Sequence, residues 1–211
     1  MTIEFKNVTK KFKDIIILNN INLTFESGNI YGLFGRNGSG KSVFLKLLCG
    51  FYTPSEGEIL YNGENLNKKL EFPPNTRALI EKPNFFPDLT GFENLKFLAE
   101  IQNKITDKEI NDILEFLGLE KDKNKKYSKY SLGMKQKLGI AQVLMENPDV
   151  IVLDEPFNGV ENVTVLKIID YLKKETKKGK LIFISTHIME DLEKLTDKIY
   201  YFDNGAINEK K

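Results

Sequence analysis

The chain has 211 residues, of which 41% are hydrophobic and 29% charged, the profile of a soluble globular protein with one core, or one core and a smaller lobe. Its longest apolar runs, at 15–18, 150–153 and 181–184, are far shorter than the roughly 20 residues that span a bilayer, and the N-terminus lacks the pattern of a signal peptide. A single cysteine excludes a disulfide framework and indicates a reducing cytosol, and a net charge of +1 gives no electrostatic argument for nucleic acid as a partner.

The first third of the chain is predicted to be mostly strands. Apolar and β-branched residues at strand spacing predict strands over 2–8 and 15–25, and a turn at Ser27–Gly28 precedes a short apolar strand, IYGLF. The stretch SVFLKLLCG predicts a helix that ends at Gly50. Further along, EILYNGENL predicts a hairpin with Asn62–Gly63 at its tip, and TRALI predicts another strand.

The middle of the chain has a different pattern. Residues that are mostly apolar recur at helical spacing without intervening strands, which predicts an inserted helical lobe over about 88–146. The residues that carry this spacing are Leu95, Leu98, Ala99 and Gln102, then Ile110, Ile113, Leu114 and Leu117.

After this lobe, strands and helices alternate. The segments VIVLD, LIFIST and IYYFD predict strands, and the helical stretches VTVLKIIDYLKKET and IMEDLEKLTD lie between them. Strands that are continuously apolar and separated by helices predict a parallel sheet covered on both faces.

A glycine-rich segment after the strand IYGLF matches a phosphate-binding loop. Its residues, Gly35, Arg36, Asn37, Gly38, Ser39, Gly40, Lys41 and Ser42, fit G-x-x-x-x-G-K-[ST] between a strand and a helix. The glycines let successive backbone N–H groups face one point, where the helix N-terminus adds partial positive charge. We expect Lys41 to reach the β- and γ-phosphates and the Ser42 hydroxyl to bind Mg²⁺.

Polar residues also follow two of the predicted buried strands. Asp154 ends VIVLD at the edge of the sheet where α/β proteins bind ligands, and we expect it to be a partner of the Mg²⁺. Glu155 comes next, and its carboxylate could polarise an attacking water. Alone, such an acidic pair is as often a solvated strand end as a functional site, but beside a phosphate loop it indicates catalysis. His187 follows LIFIST, and the end of a strand neighbouring VIVLD favours a catalytic role over a structural one.

The segment YSLGMKQ (130–136) is an unfavourable helix start. Gly133 costs about 1 kcal/mol relative to alanine inside a helix, and Lys135 and Lys137 place positive charge at the positive end of the helix dipole. The residues alone leave open what this helix start is for.

Together and in this order, the phosphate loop, the helical insert, the serine–glycine helix start before VIVLDE, and His187 resemble the ATP-binding subunit of an ABC transporter. The resemblance covers essentially the whole chain. It implies an α/β P-loop NTPase fold in a single domain, 1–211, with a RecA-like parallel sheet, an N-terminal antiparallel β subdomain and the helical subdomain at about 88–146. It also implies hydrolysis of ATP with Mg²⁺, in which Lys41, Glu155 and His187 are catalytic.

The resemblance assigns further residues to the nucleotide. Phe12 matches the aromatic residue that stacks on adenine, although it could be an ordinary strand residue. Glu81 stands where the family has a glutamine near Mg²⁺. Ser131 and Gly133 match the signature LSGGQ, which covers the γ-phosphate held by a second subunit, while Leu132, Met134 and Glu161 depart from the family pattern. The implied nucleotide-binding set is Phe12, Gly35, Arg36, Asn37, Gly38, Ser39, Gly40, Lys41, Ser42, Val43, Glu81, Ser131 and Gly133, and the implied metal ligands are Ser42, Glu81 and Asp154.

The same resemblance implies partners. Two subunits, which we expect to be identical, would close around two MgATP and drive a separate membrane permease from the cytoplasmic face. Phe85 and Phe86 belong either to the core of the lobe or to a socket for the permease. Glu81-Lys-Pro together with SLGMKQ is similar to ATPases of the bacitracin-resistance and lantibiotic-immunity type, which suggests export of an antibiotic, peptide or other small compound. Two other readings are a cytosolic scaffold or remodelling ATPase, and a small-molecule kinase; the kinase leaves the helix start at Ser131 unexplained.

Overall fold

A three-stranded antiparallel sheet forms the N-terminal part of the fold. The computed structural model describes residues 1–66 and 71–210. Strand β1 (Thr2–Phe12) lies between β2 (Ile15–Glu26) and β4 (Glu56–Tyr61). The hairpin predicted after β4 was wrong in its extent. Asn62 and Gly63 do turn the chain, with φ of 48° and 82°, but the return is an isolated bridge between Tyr61 and Glu64. The turn residues are strong there, whereas GENL has few of the β-branched residues that favour a strand.

The larger sheet is the predicted parallel one, with one antiparallel strand at its edge. Its strands are β3 (Ile30–Phe34), β5 (Thr76–Leu79), β6 (Val150–Asp154), β7 (Leu181–Thr186), β8 (Lys198–Asp203) and β9 (Ala206–Glu209). Their order in the sheet is β5-β6-β7-β3-β8-β9. Strand β9 follows a tight turn at Asn204–Gly205 and pairs antiparallel with β8, so the sheet is mixed.

Helices follow the predicted positions. They are α1 (Lys41–Leu48), α2 (Gly91–Gln102), α3 (Asp107–Phe116), α4 (Leu132–Leu144), α5 (Asn162–Thr176) and α6 (Met189–Leu195), with a 3₁₀ turn at Tyr127–Lys129. Residues 80–149, all of which the structure describes, contain α2–α4 and no strand. Helices α2 and α3 begin with capping boxes, in which Thr90 pairs with Glu93 and Thr106 with Glu109. Across the described part of the chain, no helix has both the length and the apolar character needed to cross a bilayer.

The two faces of the parallel sheet bury separate sets of side chains. Val150 and Val152 of β6 pack on the side of α1 and the antiparallel sheet, where the rings of Phe25 and Phe183 lie 5.0 Å apart. The alternate β6 residues, Ile151 and Leu153, pack on the side of α4 and α5. Because successive side chains of a strand point to opposite faces, the continuous apolar run of β6 is explained by a sheet covered on both sides.

The strand order places three chain segments together. Strand β7 lies between β6 and β3, with Asp154 opposite Ser185 and Phe34 opposite Thr186. The carboxyl ends of parallel strands meet at one edge of the sheet. Consequently the loop after β3, the pair Asp154–Glu155 and His187 all lie at that edge.

Candidate functional site

The loop between β3 and α1 curls around the Lys41 side chain. Lys41 is 5% exposed, and its Nζ donates to the carbonyl oxygens of Gly35 at 2.6 Å and Arg36 at 3.2 Å. Gly40 precedes α1 with φ 103°, a left-handed conformation that favours glycine. Burial lowers the pKa of Lys41, and the negative charges of Glu155 and Asp154 partly oppose that shift. The loop therefore presents backbone N–H groups, a helix N-terminus and one buried cation to the same space, a combination that binds phosphate.

Asp154 is fixed by two serine hydroxyls. The Oγ of Ser42, on α1, donates to Asp154 Oδ2 at 2.7 Å, and Ser185 on β7 donates to the other carboxylate oxygen. Asp154 is 5% exposed. Hydroxyl and carboxylate oxygens are hard donors, so the Ser42–Asp154 pair has the chemistry that suits Mg²⁺. Sequence reasoning missed Ser185, although its place two residues before His187 at the same strand end is a signal that could have found it.

Glu155 and His187 are in direct contact. The Nδ1 of His187 lies 3.0 Å from both carboxylate oxygens of Glu155, and a proton on Nδ1 makes this a hydrogen bond donated by the imidazole. The backbone of Glu155 is also held: its N–H donates to the Ser185 carbonyl at 3.0 Å, and its carbonyl accepts from Gln136 Nε2 at 3.1 Å. Gln136 was not predicted to belong to the site.

Most of the predicted phosphate and catalytic residues share one cavity of about 370 Å³. Its lining comprises Ile17, Asn37, Gly38, Ser39, Gly40, Lys41, Ser42, Val43, Asp154 and Glu155. Gly35 and Arg36 line a larger neighbouring cleft of about 990 Å³, whose lining shares Ile17, Asn37, Gly38 and Ser39 with this cavity. Ile17, on β2, was missed because an isoleucine in a strand carries no signal of a ligand. The structure thus brings together the phosphate loop, Asp154 and the Glu155–His187 pair.

Phe12 and Glu81 lie apart from this cavity. Phe12 ends β1 with 40% of its surface exposed, and its ring packs edge-to-face against Tyr52, with centroids 5.4 Å apart. The Glu81 carboxylate makes an ion pair with Lys46 of α1 and is 64% exposed. In this structure the partner of Glu81 is a lysine, and the expectation that Glu81 binds Mg²⁺ stays a prediction.

Ser131 and Gly133 stand at the start of α4. Ser131 caps the helix, and its Oγ accepts from the N–H of Met134 at 3.3 Å. An ideal Cβ placed on Gly133 would lie only 2.2 Å from the carbonyl oxygen of Gly159. A close backbone contact with the loop before α5 therefore explains why residue 133 is a glycine.

The lysines of the same helix also have partners in the chain. The Nζ of Lys135 lies 5.1 Å from the centre of the Tyr127 ring, a cation–π geometry. Lys137 is 5% exposed, and its Nζ lies 3.3 Å from the carboxylate of Glu161. The pKa of the Glu161 carboxyl is lowered first by a hydrogen bond from the backbone N–H of Glu161 and then by the hydrogen bond and charge of Lys137. These contacts offset part of the cost of placing positive charge at a helix N-terminus.

The sequence pattern of the family described as "ABC transporter" matches residues 18–158. The chain belongs to this family. An uncharacterised ABC transporter ATP-binding protein of Bacillus subtilis, YybJ, is 43% identical over 97% of this chain and 94% of its own length. The bacitracin transport ATP-binding protein BcrA of Enterococcus faecalis is 37% identical over 98% of this chain and 68% of its own length. The lantibiotic transport ATP-binding protein SrtF of Streptococcus pyogenes is 30% identical over 97% of this chain and 88% of its own length.

Solved ABC cassettes share the fold of this one. The dimeric bacterial ABC transporter cassette MJ0796 has a TM-score of 0.89 and 28% identity over 99% of this chain and 98% of its own, and it has also been solved in a post-hydrolysis state with ADP and Pi. The predicted fold, with its parallel core and antiparallel β subdomain, is confirmed. This ABC protein is an ATP-binding and ATP-hydrolysing transporter subunit, and the comparisons favour that reading over a cytosolic scaffold or a remodelling ATPase.

Proposed function

We propose that two copies of this ABC subunit close around two MgATP at the cytoplasmic face of a separate membrane permease, and thereby drive export of an antibiotic, peptide or similar small compound. One observation carries the proposal: the strand ends of β6 and β7 hold Glu155 against His187 beside a phosphate loop. BcrA is named for bacitracin transport and SrtF for lantibiotic transport, which supports the class of substrate.

Charge on the transferred phosphoryl group would be neutralised by the loop. The N–H groups of the loop, the N-terminus of α1 and the Lys41 ammonium converge on one cavity, and electrostatic stabilisation of this kind is the main contribution to phosphoryl-transfer catalysis. Ser42 and Asp154 would hold Mg²⁺, which when bound supplies positive charge to the phosphate oxygens. Ser185 fixes the Asp154 carboxylate so that Asp154 and Ser42 keep their relative positions.

Glu155 and His187 would act on the water. Glu155 lines the phosphate cavity, so its carboxylate is placed to accept a proton from a water that attacks the γ-phosphate. His187 holds that carboxylate through Nδ1–H, and its imidazolium form, with protons on both ring nitrogens, would also donate Nε2–H to a phosphate oxygen. The two side chains therefore divide the work between proton acceptance and orientation.

The second half of each nucleotide site would come from the partner subunit. Ser131 caps α4, whose first N–H groups lack partners within the helix and so can bind an anion. Leu132, which follows, is 63% exposed. We infer that this surface covers the nucleotide held by the other copy, as a signature segment does in this family.

Two neighbouring phenylalanines have different roles. Phe85 is 8% exposed and packs on Tyr127 with ring centroids 5.3 Å apart, so it belongs to the core of the lobe. Phe86 is 54% exposed, and its ring packs edge-to-face against Phe97 of α2, which is 49% exposed, with ring centroids 5.3 Å apart. We propose that Phe86 and Phe97 form part of the socket for the permease.

The catalytic assignment is tested by Glu155→Gln. The amide keeps the size of the side chain but cannot accept the proton, so ATP hydrolysis should fall by at least about 100-fold. ATP binding should persist and the variant should accumulate as a dimer, measured by light scattering after size exclusion. Glu190→Gln, a change at an exposed carboxylate paired with Lys194, is the matched control and should behave as the wild type. A Glu155→Gln variant that hydrolyses ATP at the wild-type rate would remove Glu155 from the mechanism.

The dimer assignment is tested separately. Ser131→Arg places a bulky cation at the start of α4 and should abolish ATP-driven dimerisation while the monomer still binds ATP. Loss of ATP binding by the monomer would instead show that the lobe had misfolded, and would contradict a contact made only between subunits. The substrate class is tested by reconstituting the subunit with its permease and asking whether bacitracin or a lantibiotic stimulates ATP hydrolysis.

A further inference from the structure

We propose that Gln136 is a positioning residue for Glu155: its side-chain amide holds the Glu155 peptide so that the carboxylate faces the phosphate cavity. The inference rests on the proposed role of Glu155 and adds a second residue to it. It comes from a hydrogen bond, from Gln136 Nε2 to the carbonyl oxygen of Glu155 at 3.1 Å, that joins the helical lobe to the catalytic strand end.

The backbone of Glu155 needs such support. Its φ is 47°, a left-handed conformation that side chains other than those of glycine, asparagine and aspartate rarely adopt. A residue in this region keeps its conformation only when the surroundings determine it. Two contacts do so here, the N–H of Glu155 donating to Ser185 and the carbonyl accepting from Gln136. One anchors the peptide to β7 and the other to α4.

Gln136 is itself firmly placed. It is 6% exposed and lies in the second turn of α4. The same helix holds the rest of the segment that follows Glu155: Gly133 approaches the backbone of Gly159, and Lys137 pairs with Glu161. Segment 155–161 is thus fastened to α4 at its first residue, near its middle and at its last residue. Gln136 makes the first of these attachments, the one nearest to the chemistry.

Loss of the amide should therefore affect turnover and spare binding. Among the described residues, 1–66 and 71–210, those that line the phosphate cavity do not include Gln136. Removing it leaves the phosphate loop, Lys41 and the Ser42–Asp154 pair intact. Without the amide, the Glu155 peptide can rotate away from positive φ, and the carboxylate then loses its alignment with His187.

The experiment compares Gln136→Met with Gln142→Met. Methionine matches glutamine in length but has no N–H donor, and Gln142 is half-buried on the same helix α4, away from Glu155. For Gln136→Met, we expect kcat for ATP to fall about tenfold, equivalent to about 1.4 kcal/mol, while KM and the number of ATP-binding sites stay unchanged. Gln142→Met should keep the wild-type kcat. Rates are expressed per ATP-binding site, so that misfolded protein does not contribute.

The outcomes separate this inference from the proposed function. Equal kcat values for Gln136→Met and Gln142→Met, with an inactive Glu155→Gln, would overturn the role of Gln136 and leave Glu155 in place. A fully active Glu155→Gln would overturn the proposed mechanism itself. If Gln136→Met fails to bind ATP, Gln136→Asn replaces it. Asparagine stays polar but is one methylene shorter, so kcat should still fall with KM unchanged, and a wild-type kcat in that variant would overturn the inference.

Discussion

Gly133→Ala should destabilise the protein, although alanine has a higher helix propensity than glycine. An ideal Cβ on Gly133 would lie 2.2 Å from the carbonyl oxygen of Gly159 and 3.2 Å from its carbonyl carbon. Both are backbone atoms, so no side-chain rotation can relieve the clash. Gly133→Ala must push the start of α4 away from the loop that precedes α5.

The size of the effect follows from two opposing terms. Real Cβ contacts begin near 3.0 Å, so helix and loop must separate by about 0.8 Å. Overpacking of this kind costs about 1–3 kcal/mol, and a backbone clash belongs at the upper end. Alanine recovers about 1 kcal/mol through its helix propensity. We therefore expect a net loss of about 2 kcal/mol, which lowers the Tm of a chain of this size by about 4–8 °C.

Gly139→Ala in the same helix is the matched control. Its Cβ would lie 2.9 Å from Cβ of Pro83 and 3.0 Å from Cδ1 of Leu79, so the separation needed to reach 3.0 Å is about 0.1 Å rather than about 0.8 Å. Its propensity gain is the same, so its Tm should stay near that of the wild type. Thermal unfolding is measured on the chain without nucleotide, where no partner phosphate can contribute. A Gly133→Ala variant as stable as the wild type and Gly139→Ala would refute the steric explanation.

Three further outcomes are expected. Burial raises the pKa of Tyr200 to about 12, whereas an unfolded tyrosine ionises near pH 10. The stability that the neutral Tyr200 side chain provides is therefore complete below about pH 10 and is lost as the pH rises toward about 12. The urea midpoint of unfolding should therefore fall less steeply with rising pH for Tyr200→Phe than for the wild type. Lys46→Met should lower the free energy of unfolding by less than about 1 kcal/mol, because the Glu81 partner is 64% exposed, and a loss above about 2 kcal/mol in urea titration would contradict this. Phe85→Ala should cost about 3–5 kcal/mol, while Phe86→Ala should leave stability nearly unchanged but weaken co-purification with the permease; equal stability losses would contradict their different placement.

The parts of this protein that could be predicted from its sequence are those encoded by adjacent residues. The continuous apolar run of β6 indicates a strand buried on both faces, and its last residues reach the edge of the sheet where ligands bind. The phosphate loop is one contiguous segment between a strand and a helix. For these features, local pattern and global fold agree, so the positions of Lys41, Asp154 and Glu155 follow from the order of strands.

The parts that could not be predicted depend on contacts between distant segments. Gln136 is an ordinary polar residue in sequence, and only the packing of α4 brings it to Glu155. The resemblance assigns Gly133 to the γ-phosphate held by a second subunit, and only the folded chain shows that the atom nearest to its missing Cβ belongs to Gly159 of the same chain. Glu81 was expected near the metal because of its place in the family pattern, and the ion pair with Lys46 has no signal in the order of residues.

Helix α4 has a consequence for communication between the two sites of a dimer. Ser131 begins the helix and Gln136 lies five residues on, about 7.5 Å along its axis. If Ser131 faces the partner's nucleotide while Gln136 holds Glu155 of its own subunit, one rigid helix has a contact in each site. Thermodynamic linkage then requires reciprocity. If nucleotide binding in one site stabilises the arrangement of Glu155 in the second site by a certain free energy, that arrangement strengthens nucleotide binding in the first site by the same free energy.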